Sequence, residues 1–236
     1  MCHFLSVLVM RDGSIRHHPA IDSHADLIVY YGLRDTELFL RHFAKAELVP
    51  GDDWLHPETW TWTLDEPTRP TWLDPETETQ AEAAARRVAA AMIHTTGVVP
   101  LIVDGAWILG GDVVVKRMLG GRVLAMRNSA TVQDVRGSAR VQDVWGSARV
   151  QRVYVSATVQ GVYGSATVQG VSGSARVQGV SGSATVQGVS DSATVQGVSD
   201  SARVQDVYGS ATVQGVYGSA ALDDSARAHL LMEVTS

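Results

Sequence analysis

Cys2 is the sharpest candidate for covalent chemistry in this chain. A methionine before a small residue is commonly removed, which would leave Cys2 as the N-terminal residue, with its thiol beside a free α-amine. In that arrangement the amine can serve as the base that activates the thiol as a nucleophile. The competing interpretation is a small residue near a flexible terminus that does no chemistry. The sequence therefore assigns no catalytic residue and keeps Cys2 as a candidate.

The residues that follow Cys2 support this chemistry only over a short stretch. A strand that runs to Met10 and a hairpin turn containing Asp12 and Gly13 resemble the opening of class II glutamine amidotransferases and other N-terminal-nucleophile hydrolases. The resemblance implies an alternative function, a small Cys2 hydrolase in which the rest of the chain is a spacer. The chain departs from that family, because Cys-His-Phe replaces the usual Cys-Gly-Ile start and the region is too short for the four-layer fold.

Histidines and tryptophans near the N-terminus are the other side chains capable of chemistry. A metal cluster would draw on His3, His17, His18, His24, Asp22 and Cys2. No pair of these has a convincing ligand spacing, so we predict neither a metal nor a cofactor. The tryptophans of the segment 54–73 are Trp54, Trp60, Trp62 and Trp72. They could stack on a sugar or a peptide, but such residues more often form the core of a small domain.

Most of the second half of the chain is a tandem repeat of nine residues close to Ser-Ala-Thr-Val-Gln-Gly-Val-Tyr-Gly. Ten copies run from residue 129 to residue 218 without a slip in register. Residues 112–120 fit the same template as a degenerate first unit, whereas 121–128 are one residue short of a unit. Such an array predicts a repeat architecture.

The periodicity within each unit identifies the secondary structure. Apolar residues occupy positions 2, 4 and 7, as in Ala139, Val141 and Val144, and Gly at position 9 supplies a turn. A helix is excluded, because nine residues make two and a half turns and would scatter these side chains around its circumference. We therefore predict a mainly β fold with a C-terminal β-solenoid. About 18 residues per coil is favoured, since one strand and one turn fill each half-coil, and 27 residues is the alternative.

The outward positions of the repeats supply the candidate binding residues. Those we predict to contact a partner are the arginine and aromatic side chains Arg140, Trp145, Arg149, Tyr154, Tyr163, Tyr208 and Tyr217. Residues of these types are favoured as anchors of protein interfaces. The competing interpretation is a solvated flat face with a few aromatic ladders. Residues 129–218 hold six Arg and five Asp, so they lack the basic stripe that a nucleic-acid groove needs.

The region before the repeats predicts a small α+β domain. We expect a strand at 3–10, helices that start at Ser23 and Pro75, and a strand at 59–64. Between them, Asp35 could begin a second short helix, but 43–49 could equally be a strand. The expected division is a capping or targeting domain at 1–111, the solenoid at 112–218 and a C-terminal cap at 219–236.

The repeats resemble those of uncharacterised bacterial and phage proteins with tandem short β-solenoid units. The Val-cored stacking is similar in kind to the polymerising bactofilins, which implies a self-assembling filament as another alternative. The favoured function is a non-enzymatic structural or interaction protein, with enzymatic activity left open and a protein partner or self-association expected. A net charge of −6, a single cysteine and the lack of a long apolar stretch predict a cytoplasmic protein without nucleic-acid or membrane partners.

Overall fold

The computed structural model describes residues 5–34, 42–228 and 230–231. The chain divides into two compact units between Ile93 and His94. This division lies upstream of the boundary expected at residue 111, because strands before that residue already pair in the solenoid sheets.

The first unit is a small α+β fold, as predicted. Its described elements, in chain order, are β1 (Leu5–Met10), β2 (Ile15–Arg16), α1 (His24–Tyr30), β3 (Phe43–Val49), a 3-10 turn (Pro57–Thr59), β4 (Thr61–Leu64) and α2 (Pro75–Met92). The four strands form one sheet in the order β2-β1-β3-β4, and the two pairs that β1 makes, with β2 and β3, are antiparallel. Segment 43–49, for which a helix and a strand were both considered, is a strand (β3). The helix considered at Asp35 lies outside the described residues.

Local signals in the sequence set the ends of both helices in this unit. The Ser23 side chain accepts a hydrogen bond from the Asp26 N–H, and the Asp74 side chain accepts one from the Thr77 N–H. Each interaction satisfies a backbone donor that the first helical turn leaves without a partner. Helix α2 buries one alanine stripe, at Ala81, Ala85 and Ala89.

The second unit is a two-sheet β-solenoid. One sheet has eight strands: β6 (Val98–Val99), β8 (Val114–Met118), β10 (Thr131–Val135), β12 (Arg149–Val153), β14 (Thr167–Val171), β16 (Thr185–Val186), β18 (Arg203–Val204) and β20 (Ala221–Leu222). The other has nine: β5 (Ile93–His94), β7 (Ala106–Leu109), β9 (Arg122–Met126), β11 (Arg140–Val144), β13 (Thr158–Val162), β15 (Arg176–Val180), β17 (Thr194–Val198), β19 (Thr212–Val216) and β21 (Leu230–Leu231). A short helix, α3 (Asp224–Ala228), precedes β21. Consecutive nonapeptide units alternate between the two sheets.

The coil contains about 18 residues, which confirms the favoured coil size. Val141 pairs in parallel with Val159, and Val159 pairs with Val177, so each strand stacks on the strand two units earlier. Unit positions 2, 4 and 7 point inward, as predicted, and the side chains of Ala139, Val141 and Val144 are fully buried. Stacking therefore converts the sequence repeat into continuous Ala and Val columns between the sheets.

Both flanks of the perfect repeats continue the solenoid. The degenerate unit 112–120 forms β8, which pairs with β10 in the register of the later units. The short segment 121–128 still forms β9 in register with β11, so its missing residue falls outside the strand. At the C-terminal end β20 and β21 each add a strand, and Ala226 of α3 joins the solenoid core.

Candidate interaction surface

Alternation between the sheets separates the predicted binding residues into two groups. The nine-stranded sheet carries Arg140, Trp145, Tyr163 and Tyr217, whereas the eight-stranded sheet carries Arg149, Tyr154 and Tyr208. Within each group the aromatic residues occupy unit position 8 and the arginines position 3. The sequence-predicted residues therefore lie on two different sheets, and on each sheet the aromatic residues and the arginines belong to separate columns.

The column on the nine-stranded sheet contains a three-residue stack. The guanidinium of Arg127 lies 5.2 Å from the centre of the Trp145 ring, within the range of a cation–π interaction. The Trp145 ring stacks on Tyr163 with ring centres 4.4 Å apart and an interplanar angle of 29°. Because these residues come from successive coils, the sheet fixes their spacing. We call Arg127, Trp145 and Tyr163 the aromatic stack.

Glycine at unit position 6 allows the tyrosine of this stack to lie flat. A Cβ added at Gly161 would come within 2.3 Å of the Tyr163 ring. The Tyr163 side chain therefore covers its own strand, which accounts for the burial of Gly161. In the next two coils Ser181 and Ser199 occupy the position of the aromatic residues, so Tyr217 is separated from the stack.

The equivalent column on the eight-stranded sheet combines aromatic and charged groups. The Arg136 guanidinium lies 4.6 Å from the centre of the Tyr154 ring. Asp134, which is buried, accepts hydrogen bonds from Nε of Arg152 at 2.6 Å and from a terminal nitrogen of Arg136 at 3.3 Å. Two arginines therefore compensate the one buried carboxylate.

A shallow groove follows Tyr154 along this sheet. The groove has a volume of about 400 Å³, and its lining includes Arg152, Tyr154, Ser172 and Ser190. It exists because the large side chains of unit positions 6 and 8 give way to Gly and Ser over two coils. The groove can accommodate a side chain from a partner.

Burial changes the acid–base behaviour of two groups beside the aromatic stack. Desolvation raises the pKa of Asp143, and the nearby Arg127 charge offsets only part of that effect. Burial also raises the pKa of Tyr163, to which the Asp143 charge adds.

Sequence reasoning missed Arg127, Arg136 and the Asp134–Arg152 pair. The sequence signal for these residues is the 18-residue spacing, since Asp134 and Arg152 are 18 residues apart and occupy the same position in consecutive coils.

The predicted arginines Arg140 and Arg149 are both exposed. Arg140 begins the strand that leads to Trp145, and Arg149 begins the strand that leads to Tyr154.

The N-terminal residues considered for catalysis, metal binding or stacking lie in different environments. Cys2 and His3 lie outside the described residues. Burial lowers the pKa of His17, while the His18 ring lies against Tyr30.

His24, which was also considered as a metal ligand, lies in a cluster of potential ligands with Glu47 and Asp65. This cluster does not include Asp22. Trp60 is buried, as expected of a core residue.

Comparison with known proteins finds no family model, no curated protein and no solved structure that matches the chain. None of the helices within the described residues combines the length and the apolar character required to cross a bilayer.

Proposed function

We propose that the chain is a non-enzymatic structural or interaction protein that binds a protein partner through the aromatic stack. The observation that carries this proposal is the stacking of Arg127, Trp145 and Tyr163 at one-coil spacing on a rigid sheet. Arg, Trp and Tyr are the residues that most often dominate the binding energy of protein interfaces.

The backbone beneath the stack supports this role. Each coil hydrogen-bonds to the next, as when the Trp145 N–H donates to the Met126 carbonyl and the Tyr163 N–H donates to the Val144 carbonyl. The stack is therefore preorganised, and a partner would not have to bear the entropic cost of ordering it. Trp145 remains 38% exposed, so part of its ring is available for contact.

We expect the partner of this surface to be a protein. Nucleic acid is a poor fit, because the Asp143 carboxylate lies near the Arg127 charge of the stack. A flat sheet that bears a few aromatic anchors matches the anatomy of a protein interface, in which such anchors are surrounded by polar residues.

The test replaces the stack with the residue that the chain itself uses at the same unit position. Trp145→Ser together with Tyr163→Ser reproduces Ser181 and Ser199, so the fold should be kept. Photo-crosslinking in the native cell, read by mass spectrometry, should give specific adducts with the wild-type chain and lose them in the double variant. Tyr217→Ser, in the same column but outside the stack, is the matched control and should keep them. Retention of the adducts in the double variant would exclude this surface.

A further inference from the structure

We propose that His24, Glu47 and Asp65 form a binding site for one divalent transition-metal ion, with Zn²⁺ as the test ion. Their potential ligand atoms all lie within 4.8 Å of one another. The site lies in the first unit and is independent of the proposed interaction surface.

The strand register of the first unit brings these residues together. His24 is the first residue of α1, Glu47 lies in β3, and Asp65 directly follows β4. Ala46 pairs with Leu64, and the Asp65 N–H donates to the Lys45 carbonyl, so the end of β4 is held beside β3. Two carboxylates from neighbouring strands therefore lie next to one buried imidazole.

The hydrogen bond on the far side of the His24 ring fixes the ring's orientation. Nε2 lies 3.0 Å from the Ala46 carbonyl oxygen, which can only accept, so Nε2 carries the hydrogen and donates it. A histidine that binds a metal commonly donates its other ring N–H to a backbone carbonyl in this way. In the neutral ring, Nδ1 then presents its lone pair.

That lone pair faces a second electron donor. Nδ1 of His24 lies 3.0 Å from Oδ2 of Asp65, and an unprotonated nitrogen and a carboxylate oxygen repel each other at this distance. A cation must lie between them, either a proton or a metal ion. The Glu47 carboxylate adds negative charge on the same side, which favours a divalent ion.

The ligand types select the class of metal. One imidazole nitrogen with two carboxylate oxygens suits Zn²⁺, Mn²⁺ or Fe²⁺, whereas Mg²⁺ and Ca²⁺ prefer oxygen ligands alone. Bonds of about 2.0–2.2 Å put two ligand atoms at most about 4.4 Å apart, so a pair near the 4.8 Å limit of this cluster would have to move closer together. The Asp65 side chain is 61% exposed and is therefore able to rotate inward. Three protein ligands leave at least one coordination position for water or another ligand.

The test uses the full chain with Cys2→Ser, which removes the thiol as a competing ligand. Calorimetric titration with Zn²⁺ should show one equivalent bound, and Co²⁺ in its place should give a visible absorption spectrum. Asp65→Asn and Glu47→Gln should each weaken Zn²⁺ binding by about tenfold or more. Both variants keep a side chain of the same size, and circular dichroism should show that they are folded.

A second histidine–carboxylate pair in the same unit provides the matched control. His56 Nδ1 lies 2.7 Å from Oδ2 of Asp53, but both side chains are exposed. Asp53→Asn should leave Zn²⁺ affinity unchanged. Equal affinities in Asp65→Asn and Asp53→Asn, or no stoichiometric binding by the parent chain, would overturn the proposal and leave a proton as the cation between His24 and Asp65.

Discussion

Val155 and Gly173 occupy the same turn position in consecutive coils, and both have a backbone φ of 67°. Unit position 9 requires this left-handed conformation, which glycine adopts freely and a β-branched residue does not. Asp191, the next residue in the column, has a φ of 59°, and one of its side-chain oxygens accepts a hydrogen bond from the Gly173 N–H. Val155 is therefore the conformationally strained member of this column.

Val155→Gly should raise the free energy of unfolding. Relief of the left-handed strain contributes about 1–2 kcal/mol, and the greater freedom of glycine in the unfolded chain offsets about 0.5–1 kcal/mol of it. Val155 is 53% exposed, so little packing is lost. Thermal denaturation of the intact protein measures the change.

The reverse substitution at an equivalent turn is the control. Gly146 has a φ of 70°, and an added Cβ would meet its closest atom at an ordinary 3.5 Å. Gly146→Val should therefore lower the melting temperature through backbone strain alone. A fall for Val155→Gly, or no change for Gly146→Val, would show that position 9 does not require the left-handed conformation.

Val177→Asp should cost several kcal/mol of stability. Val177 is fully buried, and an aspartate there would place an unpaired carboxylate among stacked valines. Gln178→Asp is the matched control, because Gln178 is the next residue and is exposed. Chemical denaturation should show a large loss for the first variant and a small one for the second. Equal losses would contradict the inward assignment of unit position 4.

Removal of one whole coil should leave a folded protein. Deletion of 165–182 removes β14 and β15, one strand from each sheet, and brings β12 beside β16 with the same Val columns. The free energy of unfolding should fall only by the contribution of one coil, because each coil contacts mainly its neighbours. Deletion of 165–169 should unfold the C-terminal part, because it breaks the register. Circular dichroism and cooperative melting distinguish the two, and equal unfolding by both would refute the coil assignment.

The pattern of repeats predicted the solenoid, its inward face and its coil size, because each depends only on residues that recur every nine positions. Other features depend on context. Position 6 is left-handed at Gly188 and Gly197 but not at Gly170 and Gly179, although the local sequences are nearly identical. The His24 cluster requires the pairing of β3 with β4, which no local spacing reveals. The grouping of the aromatic residues depends on the coil size, because a coil of 18 residues stacks Trp145 on Tyr163 and a coil of 27 would not.

Asp143→Asn should stabilise the protein at neutral pH but not in acid. Burial raises the folded-state pKa of Asp143, so folding favours its protonated form and the ionised carboxylate is destabilising at pH 7. As the pH falls through the raised folded pKa and below the unfolded value of 3.8, this penalty disappears. The difference in melting temperature between variant and parent should therefore be positive at pH 7 and shrink to zero at acidic pH. Asp104→Asn, at an exposed carboxylate of the same unit, is the control. A benefit that is constant with pH would indicate that burial of the charge is not its cause.

Truncation after Gly218 should convert the protein into an aggregating species. The residues that would be lost include β20, β21 and α3, which lie over the last repeat coil, and Ala226 is buried in the core. Asp223 anchors this segment: its Oδ2 accepts from the Asp206 N–H at 2.8 Å, and its Oδ1 accepts from the Ser225 hydroxyl at 2.6 Å and the Ala226 N–H at 2.8 Å.

Without this segment, β18 and β19 would expose unpaired backbone groups, and such edges act as templates for pairing with other chains. Light scattering and electron microscopy should therefore show concentration-dependent polymers for the truncated chain and none for the intact one. Asp223→Ala, which removes only the anchoring carboxylate, should give an intermediate tendency to polymerise. If the intact chain polymerises and the truncated chain does not, the C-terminal segment is an assembly element, and a filament-forming function should replace the one proposed here.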